Sequence, residues 1–156
     1  MARRYWLMKS EPDVFSFDDL KAEPGRTAHW DGVRNYQARN LLRDEVKKGD
    51  GVLFYHSRIS PPAVVGTATV VRDGYPDHTQ FDPGAKYFDE KASAEKPRWY
   101  MVDIKYGKPL KVAVELPTMR EAPGLEEMVL LRKGSRLSVQ PVTASEWETI
   151  LHLGGL

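Results

Sequence analysis

Cysteine is absent from the 156-residue chain, which excludes disulfides, a thiolate nucleophile and any cysteine-ligated zinc site. Long apolar runs are absent too. Nothing approaches the roughly 20 residues of a membrane-spanning helix, and Tyr5-Trp6-Leu7-Met8, after the basic start at 1–4, is too short for a signal-peptide apolar region. A cytoplasmic location is the expectation. Net charge is scarce, with 23 basic residues against 22 acidic ones, so any nucleic-acid function must rest on a local patch. His29, His56, His78 and His152 show no HExxH or other metal-ligand spacing, and no GxSxG or phosphate-loop pattern occurs. Neither a metal nor a cofactor is expected. With 41% hydrophobic and 29% charged residues the chain has the composition of an ordinary globular protein. Its length is that of one domain, 1–156, able to bury a core.

What is present reads as a mixed α+β domain. Residues 5–8 form a first strand. Ser16 with Asp19, a weak capping-box variant, opens a short helix that Pro24-Gly25 stops. A helix is expected over about 35–46, with Ala38, Leu41, Leu42 and Val46 as its apolar stripe and Arg39, Arg43 and Lys47 as a basic one. Residues 52–56 are apolar on both faces, which predicts a central strand. Residues 63–71 follow as a β-branched strand whose Gly66 predicts a bulge. The aromatics of the long irregular stretch 73–96 argue for an ordered loop. Tyr100, Val102, Ile104 and Tyr106 alternate along a strand with one wet face, and Gly107-Lys108-Pro109 reads as a turn into a separate strand over 110–116. A last strand at 137–142 and a helix opened by Thr143 and Glu146 complete the chain. About six strands flanked by short helices predict a curved or barrel-like sheet.

The most informative stretch is 30–40, Trp-Asp-Gly-Val-Arg-Asn-Tyr-Gln-Ala-Arg-Asn. It is too polar for a core segment and too aromatic for an ordinary surface loop. Gly32 marks a turn or a close approach to the main chain. Trp30 and Tyr36 offer flat faces, Asn35 and Gln37 paired donors and acceptors, and Arg34 a planar cation. Two readings fit: a hydrogen-bonded loop leading into a helix, or a wall for a flat, polar, anion-linked ligand such as a nucleotide base. The stripe Arg39-Arg43-Lys47 is likewise either a solvated face or a phosphate-facing one.

Catalytic constellations are weak. His56 and Ser57 are neighbours in a strand and point to opposite faces, a poor nucleophile–base pair. Asp77 and His78, near Asp82, could form an acid–base or metal cluster, but loop acids of this kind are usually turn formers. A binding module is favoured over an enzyme using His56, Asp77 or His78.

Tyr-Trp-Leu-Met-Lys-Ser-Glu-Pro at 5–12, the stretch 30–40, Phe-Tyr-His-Ser at 54–57, Tyr-Pro-Asp at 75–77, Arg-Trp-Tyr at 98–100, 134–142 and Glu-Trp-x-x-Ile-Leu at 146–151 together resemble the EVE domain family over about 4–151. The loop 57–62 and Gly84-Ala85-Lys86 depart from the family pattern, which leaves the exact substrate open. The resemblance implies a PUA-like fold, related to YTH domains that bind methylated adenine. It implies a non-catalytic reader of modified bases, chiefly modified cytosine such as 5-methylcytosine in DNA, with RNA binding as the nearest variant.

Combined with the residues, this gives an expected base pocket of Ser10, Trp30, Gly32, Val33, Asn35, Tyr36, Tyr55, Ser57, Trp99, Leu137 and Ser138. Trp30 forms one wall, with Tyr36, Tyr55 or Trp99 nearby, and Val33 or Leu137 offers a niche for a methyl group. Lys9, Arg34, Arg39, Arg43 and Arg136 are expected to face phosphates, which positions a strand without reading its sequence. Trp6, Trp147 and Tyr100 are assigned to the core.

Overall fold

The computed structural model of the protein describes residues 3–133 and 136–156; Gly134 and Ser135 of the motif at 134–142 lie outside the described residues. Among the described residues six strands form one sheet: β1 (Tyr5–Ser10), β2 (Thr27–His29), β3 (Gly51–His56), β4 (Ala63–Pro76), β5 (Tyr100–Glu115) and β6 (Val139–Val142). Their order is β2-β5-β4-β3-β1-β6. The β1–β3 pair is parallel and the other pairs are antiparallel. Four α-helices among the described residues flank the sheet: α1 (Phe17–Ala22), α2 (Tyr36–Asp44), α3 (Leu116–Glu121) and α4 (Ala144–Leu153).

Because successive strand residues face opposite sides, β3 feeds two cores. Val52 and Phe54 enter a cluster closed by α1 and α2 through Phe17, Leu20, Ala38 and Leu42. Leu53 and Tyr55 enter a second, closed by α3 and α4 through Met119, Trp147 and Ile150. At roughly 1.5–3 kcal/mol per fully buried large apolar side chain, β3 contributes more than any surface ion pair can. Both capping boxes form. The Ser16 hydroxyl accepts from Asp19 N while the Asp19 carboxylate accepts from Ser16 N, and Thr143 with Glu146 repeats the arrangement.

The sheet is open, so the barrel expectation fails in its closure: β2 and β6 end the strand order and do not pair with each other. The region expected as a turn at 107–109 is a bulge inside one 16-residue strand. Gly66 pairs with Pro109 and Ala68 with Tyr106, so three steps on β5 oppose two on β4. An extra residue moves all later side chains to the other face. Val102 and Ile104 therefore lie in the first core but Leu110 and Val114 in the second. β2, unexpected from sequence, is a three-residue edge paired with 103–105, too short to show an alternation.

One close approach fixes the layer around α2. A Cβ on Gly74 of β4 would lie 2.3 Å from the Leu42 carbonyl oxygen, so helix and strand touch backbone to backbone there. The long loop after β4 is ordered around Gln80, whose amide donates to the Asp77 and Trp99 carbonyls and accepts from the Arg98 and Trp99 N–H groups. Among the described residues no helix is long and apolar enough to cross a membrane.

Candidate functional site

A cleft of about 1120 Å³ opens where the end of β1, β2 and the loop 30–34 converge. Of the residues expected in a base pocket, Ser10, Trp30, Gly32, Val33, Ser57 and Ser138 line it. Lys9, Arg34 and Arg136 of the cationic set line it too, joined by Arg58 and Tyr87, which sequence reasoning did not assign. The chain reaches this arrangement through two main-chain bonds: Lys9 N donates to the Ser138 carbonyl and Ser57 N to the Ser10 carbonyl, both at 2.9 Å. Burial pushes the Lys9 ammonium below its ordinary pKa, so an anion beside it would favour its charged form.

The loop 30–34 is held by Asp77, whose side chain is fully buried. Asp77 Oδ2 accepts from Gly32 N at 2.8 Å and Arg34 Nη1 at 3.1 Å, and Oδ1 accepts from Thr79 N at 2.8 Å and the Thr79 hydroxyl at 2.5 Å. Burial opposes ionisation of Asp77, but the bonds from Thr79, Gly32 and Arg34 outweigh it and hold the carboxyl below its ordinary range. Arg34 spends all five N–H groups on this clasp, the remainder going to the carbonyls of Val33 and Tyr87 and to the Thr79 hydroxyl. It has no donor left for a phosphate, which corrects its expected role. Gly32 has φ +79°, and a Cβ there would lie 2.6 Å from the Tyr87 ring. The close approach expected at Gly32 is thus made by Tyr87.

Several expected pocket residues lie elsewhere. Tyr55 faces the second core, on the opposite side of β3 from Phe54. Asn35 caps α2, its side-chain oxygen accepting from Ala38 N. Trp99 is buried under Tyr36, the rings stacked at 4.8 Å and 25°, and its indole N–H donates to Asp89 at 2.7 Å. Leu137 packs against the first core. Arg39 bonds the Arg98 carbonyl at 2.6 Å and Arg43 pairs with Asp44 at 2.8 Å, so the basic stripe of α2 lies away from the cleft. Trp30 is 8% exposed, its ring near-perpendicular to those of Phe15 and Phe54, so little of it is open to the cleft.

The missed residues left faint signals. Tyr87 was one of several aromatics in an irregular stretch. Asp77 with Thr79 has the spacing of an Asp turn, but nothing local showed that its charge is matched by an arginine 43 positions earlier.

The EVE domain family model matches residues 4–153. The chain belongs to the EVE domain family. Thymocyte nuclear protein 1 of Mus musculus is 43% identical to this EVE domain over 96% of the chain and 73% of the mouse protein. The structure of a hypothetical protein from Leishmania major is 46% identical, with a TM-score of 0.91 over 98% of this chain and 95% of that one. The human THYN1 protein, crystallised in complex with 5-methylcytosine-containing DNA, is 39% identical, with a TM-score of 0.90 over 98% of both chains.

The EVE domain's candidate acid–base groups are engaged in structure. His56 Nε2 accepts from Phe17 N at 3.1 Å, extending the cap of α1. His78 is exposed and meets His29 edge-to-face. Among the described residues no group of three His, Asp or Glu side chains is placed to hold a metal. Desolvation pushes His56 below its ordinary pKa, against the pull of Asp18 and Asp19. The unfolded chain therefore takes up this proton first, at about pH 6.5. The stabilisation from neutral His56 is full above that pH and is lost as pH falls toward the depressed folded value. Urea unfolding between pH 7.5 and 5 is expected to show a smaller loss for His56→Gln than for the wild type. Parallel losses would exclude this coupling.

Proposed function

We propose that the cleft reads a modified base in DNA, 5-methylcytosine or a related modified cytosine, without performing chemistry on it, and that the open six-stranded sheet is a PUA-like scaffold for it. The observation that carries this reading is the human THYN1 relative in complex with 5-methylcytosine-containing DNA. The geometry of the cleft supports it. At about 1120 Å³ it exceeds the roughly 300–1,000 Å³ of small-molecule pockets, so a base leaves room for its sugar and phosphates.

A base read singly must leave the stack at a cost of a few kcal/mol, which contacts in the pocket offset. The exposed part of Trp30 and the ring of Tyr87 provide apolar surface, and Val33 provides a niche for a methyl group. The hydroxyls of Ser57 and Ser138 and the indole N–H of Trp30 make no hydrogen bond to other described residues, which leaves three directed groups for a base edge. Lys9, Arg58 and Arg136 meet phosphates. Among the described residues Arg58 is tied only by a pair with Glu11 at 2.7 Å, its side chain 81% exposed, and such pairs are worth about 0–1 kcal/mol.

Titration of labelled DNA carrying cytosine, 5-methylcytosine or 5-hydroxymethylcytosine tests the reading. A preference of about tenfold for one modified form is expected, the effect of one contact of about 1.4 kcal/mol. Equal, weak affinity for all three would sink it, and tighter binding of the matched RNA would replace DNA by RNA as the partner.

A further inference from the structure

We infer that the outer face of the first turn of α2 is a second nucleotide site, separate from the cleft, where an unpaired base of a DNA strand stacks at Tyr36 and its phosphates meet Arg39 and Arg98. The choice of DNA rests on the proposal for the cleft; the site itself rests on four observations.

Tyr36 is 47% exposed, unusual for an aromatic in a well-packed domain, yet it is not loose. Its ring stacks on Trp99, its hydroxyl accepts from Arg98 Nη2, and Trp99 is itself fixed by Asp89 and Gln80. An exposed ring already held in one orientation loses little entropy when a ligand settles on it. The Arg39 and Arg98 guanidinium carbons lie 5.0 and 5.8 Å from the centroid of this ring, so two planar cations border a base stacked there.

Both arginines keep donors. Arg39 uses Nε on Asn40 and Nη1 on the Arg98 carbonyl, while its Nη2 has no partner among the described residues. Arg98 leaves Nη1 without a partner, and its ion pair with Asp89 is long, at 3.6 Å. The contrast with Arg34, whose five donors are all spent, separates a structural arginine from two with capacity for phosphate oxygens.

The ledge is also contiguous with the cleft. The Arg34 guanidinium lies 5.4 Å from the Tyr87 ring, which lines the cleft, and 5.3 Å from the Trp99 ring beneath Tyr36. Tyr87, Arg34, Trp99 and Tyr36 form a continuous series of cation–π and stacking contacts, so a strand with one base in the cleft can run onto the ledge.

A plain packing role, Tyr36 as a cover for Trp99, would be served equally by leucine. The test uses that. Full-chain wild type, Tyr36→Leu, Tyr36→Phe, Arg39→Gln and Arg98→Gln are titrated by fluorescence anisotropy against an unmodified single-stranded oligothymidine and against a 5-methylcytosine strand, with folding checked by circular dichroism. Tyr36→Leu is expected to weaken both strands by about 5- to 150-fold, the range for losing one base–aromatic stack, and to leave their affinity ratio unchanged. Tyr36→Phe stays within about twofold of the wild type. Each arginine variant lowers the slope of log affinity against log salt by about 0.7. Unchanged affinity in Tyr36→Leu, or no wild-type binding to oligothymidine, overturns the ledge. A loss confined to the modified strand also overturns it, because it places Tyr36 in the readout of the cleft. A wild type that binds both strands equally while Tyr36→Leu weakens both leaves the ledge standing and removes the cleft reading alone.

Discussion

Replacing Asp77 by alanine is expected to destabilise the domain by about 3–5 kcal/mol, the cost of removing one partner from a buried charge pair. The arginine left behind would lose its charge partner while its side chain is only 21% exposed. Gly32 N and Thr79 N would lose their acceptor as well, and buried donors without partners cost about 1–3 kcal/mol each. Asp77→Asn, which keeps the shape but not the charge, is expected to fall between the two. Urea unfolding followed by circular dichroism measures the series. Because the folded Asp77 carboxyl sits below its ordinary range, the wild-type advantage over Asp77→Asn is full above about pH 4 and fades as pH falls below it. An advantage that persists unchanged to pH 2 would exclude the ionised clasp. The same variant is expected to loosen the cleft, since the loop carrying Trp30, Gly32 and Val33 is tied down at this carboxylate.

Trp30→Ala is the second large effect, with an expected loss of about 3–5 kcal/mol, as for other large core residues truncated to alanine. Trp30 sits in the first core against Phe15 and Phe54 and is 8% exposed. Against a typical total stability of about 5–15 kcal/mol, the variant would be marginal or unfolded, and its failure to bind DNA would say nothing about base contact. Trp30→Phe separates the two roles. It retains an aromatic ring in the core and removes the indole N–H, so a small stability loss together with a loss of discrimination between cytosine and its modified forms is expected. Normal stability in Trp30→Ala, measured by the same urea titration, would remove Trp30 from the core.

How much of this was legible depended on the range of the interaction. The two capping boxes, the central strand with apolar residues on both faces, and the bend at Gly66 follow from neighbours within a few positions, and sequence reasoning reached them. The cleft was reached in outline, because Trp30, Gly32 and Val33 share one loop. Its support was not. Asp77 was legible only as a turn former, because its partners Gly32 and Arg34 are more than 40 positions away. Tyr36 and Trp99 were both expected beside Trp30 in the pocket, but nothing local showed that they stack on each other. The bulge at 107–109 carries turn-forming residues, and its pairing with β4, where Gly66 opposes Pro109 and the Thr67 hydroxyl accepts from Lys108 N at 3.1 Å, was not visible in them.

The position of β1 has a consequence for synthesis. It lies inside the sheet, between β3 and β6, although it precedes β2 to β5 in the chain and β6 follows them. Until residues 139–142 emerge, β1 carries an unpaired edge, the kind of surface on which strands of other chains add. Ser138, which accepts the Lys9 N–H, arrives with β6. The nascent domain can therefore complete neither core before β6 and α4 emerge, since Val139 belongs to the first and Trp147 and Ile150 to the second, and the wall of the cleft beside Lys9 forms only with β6.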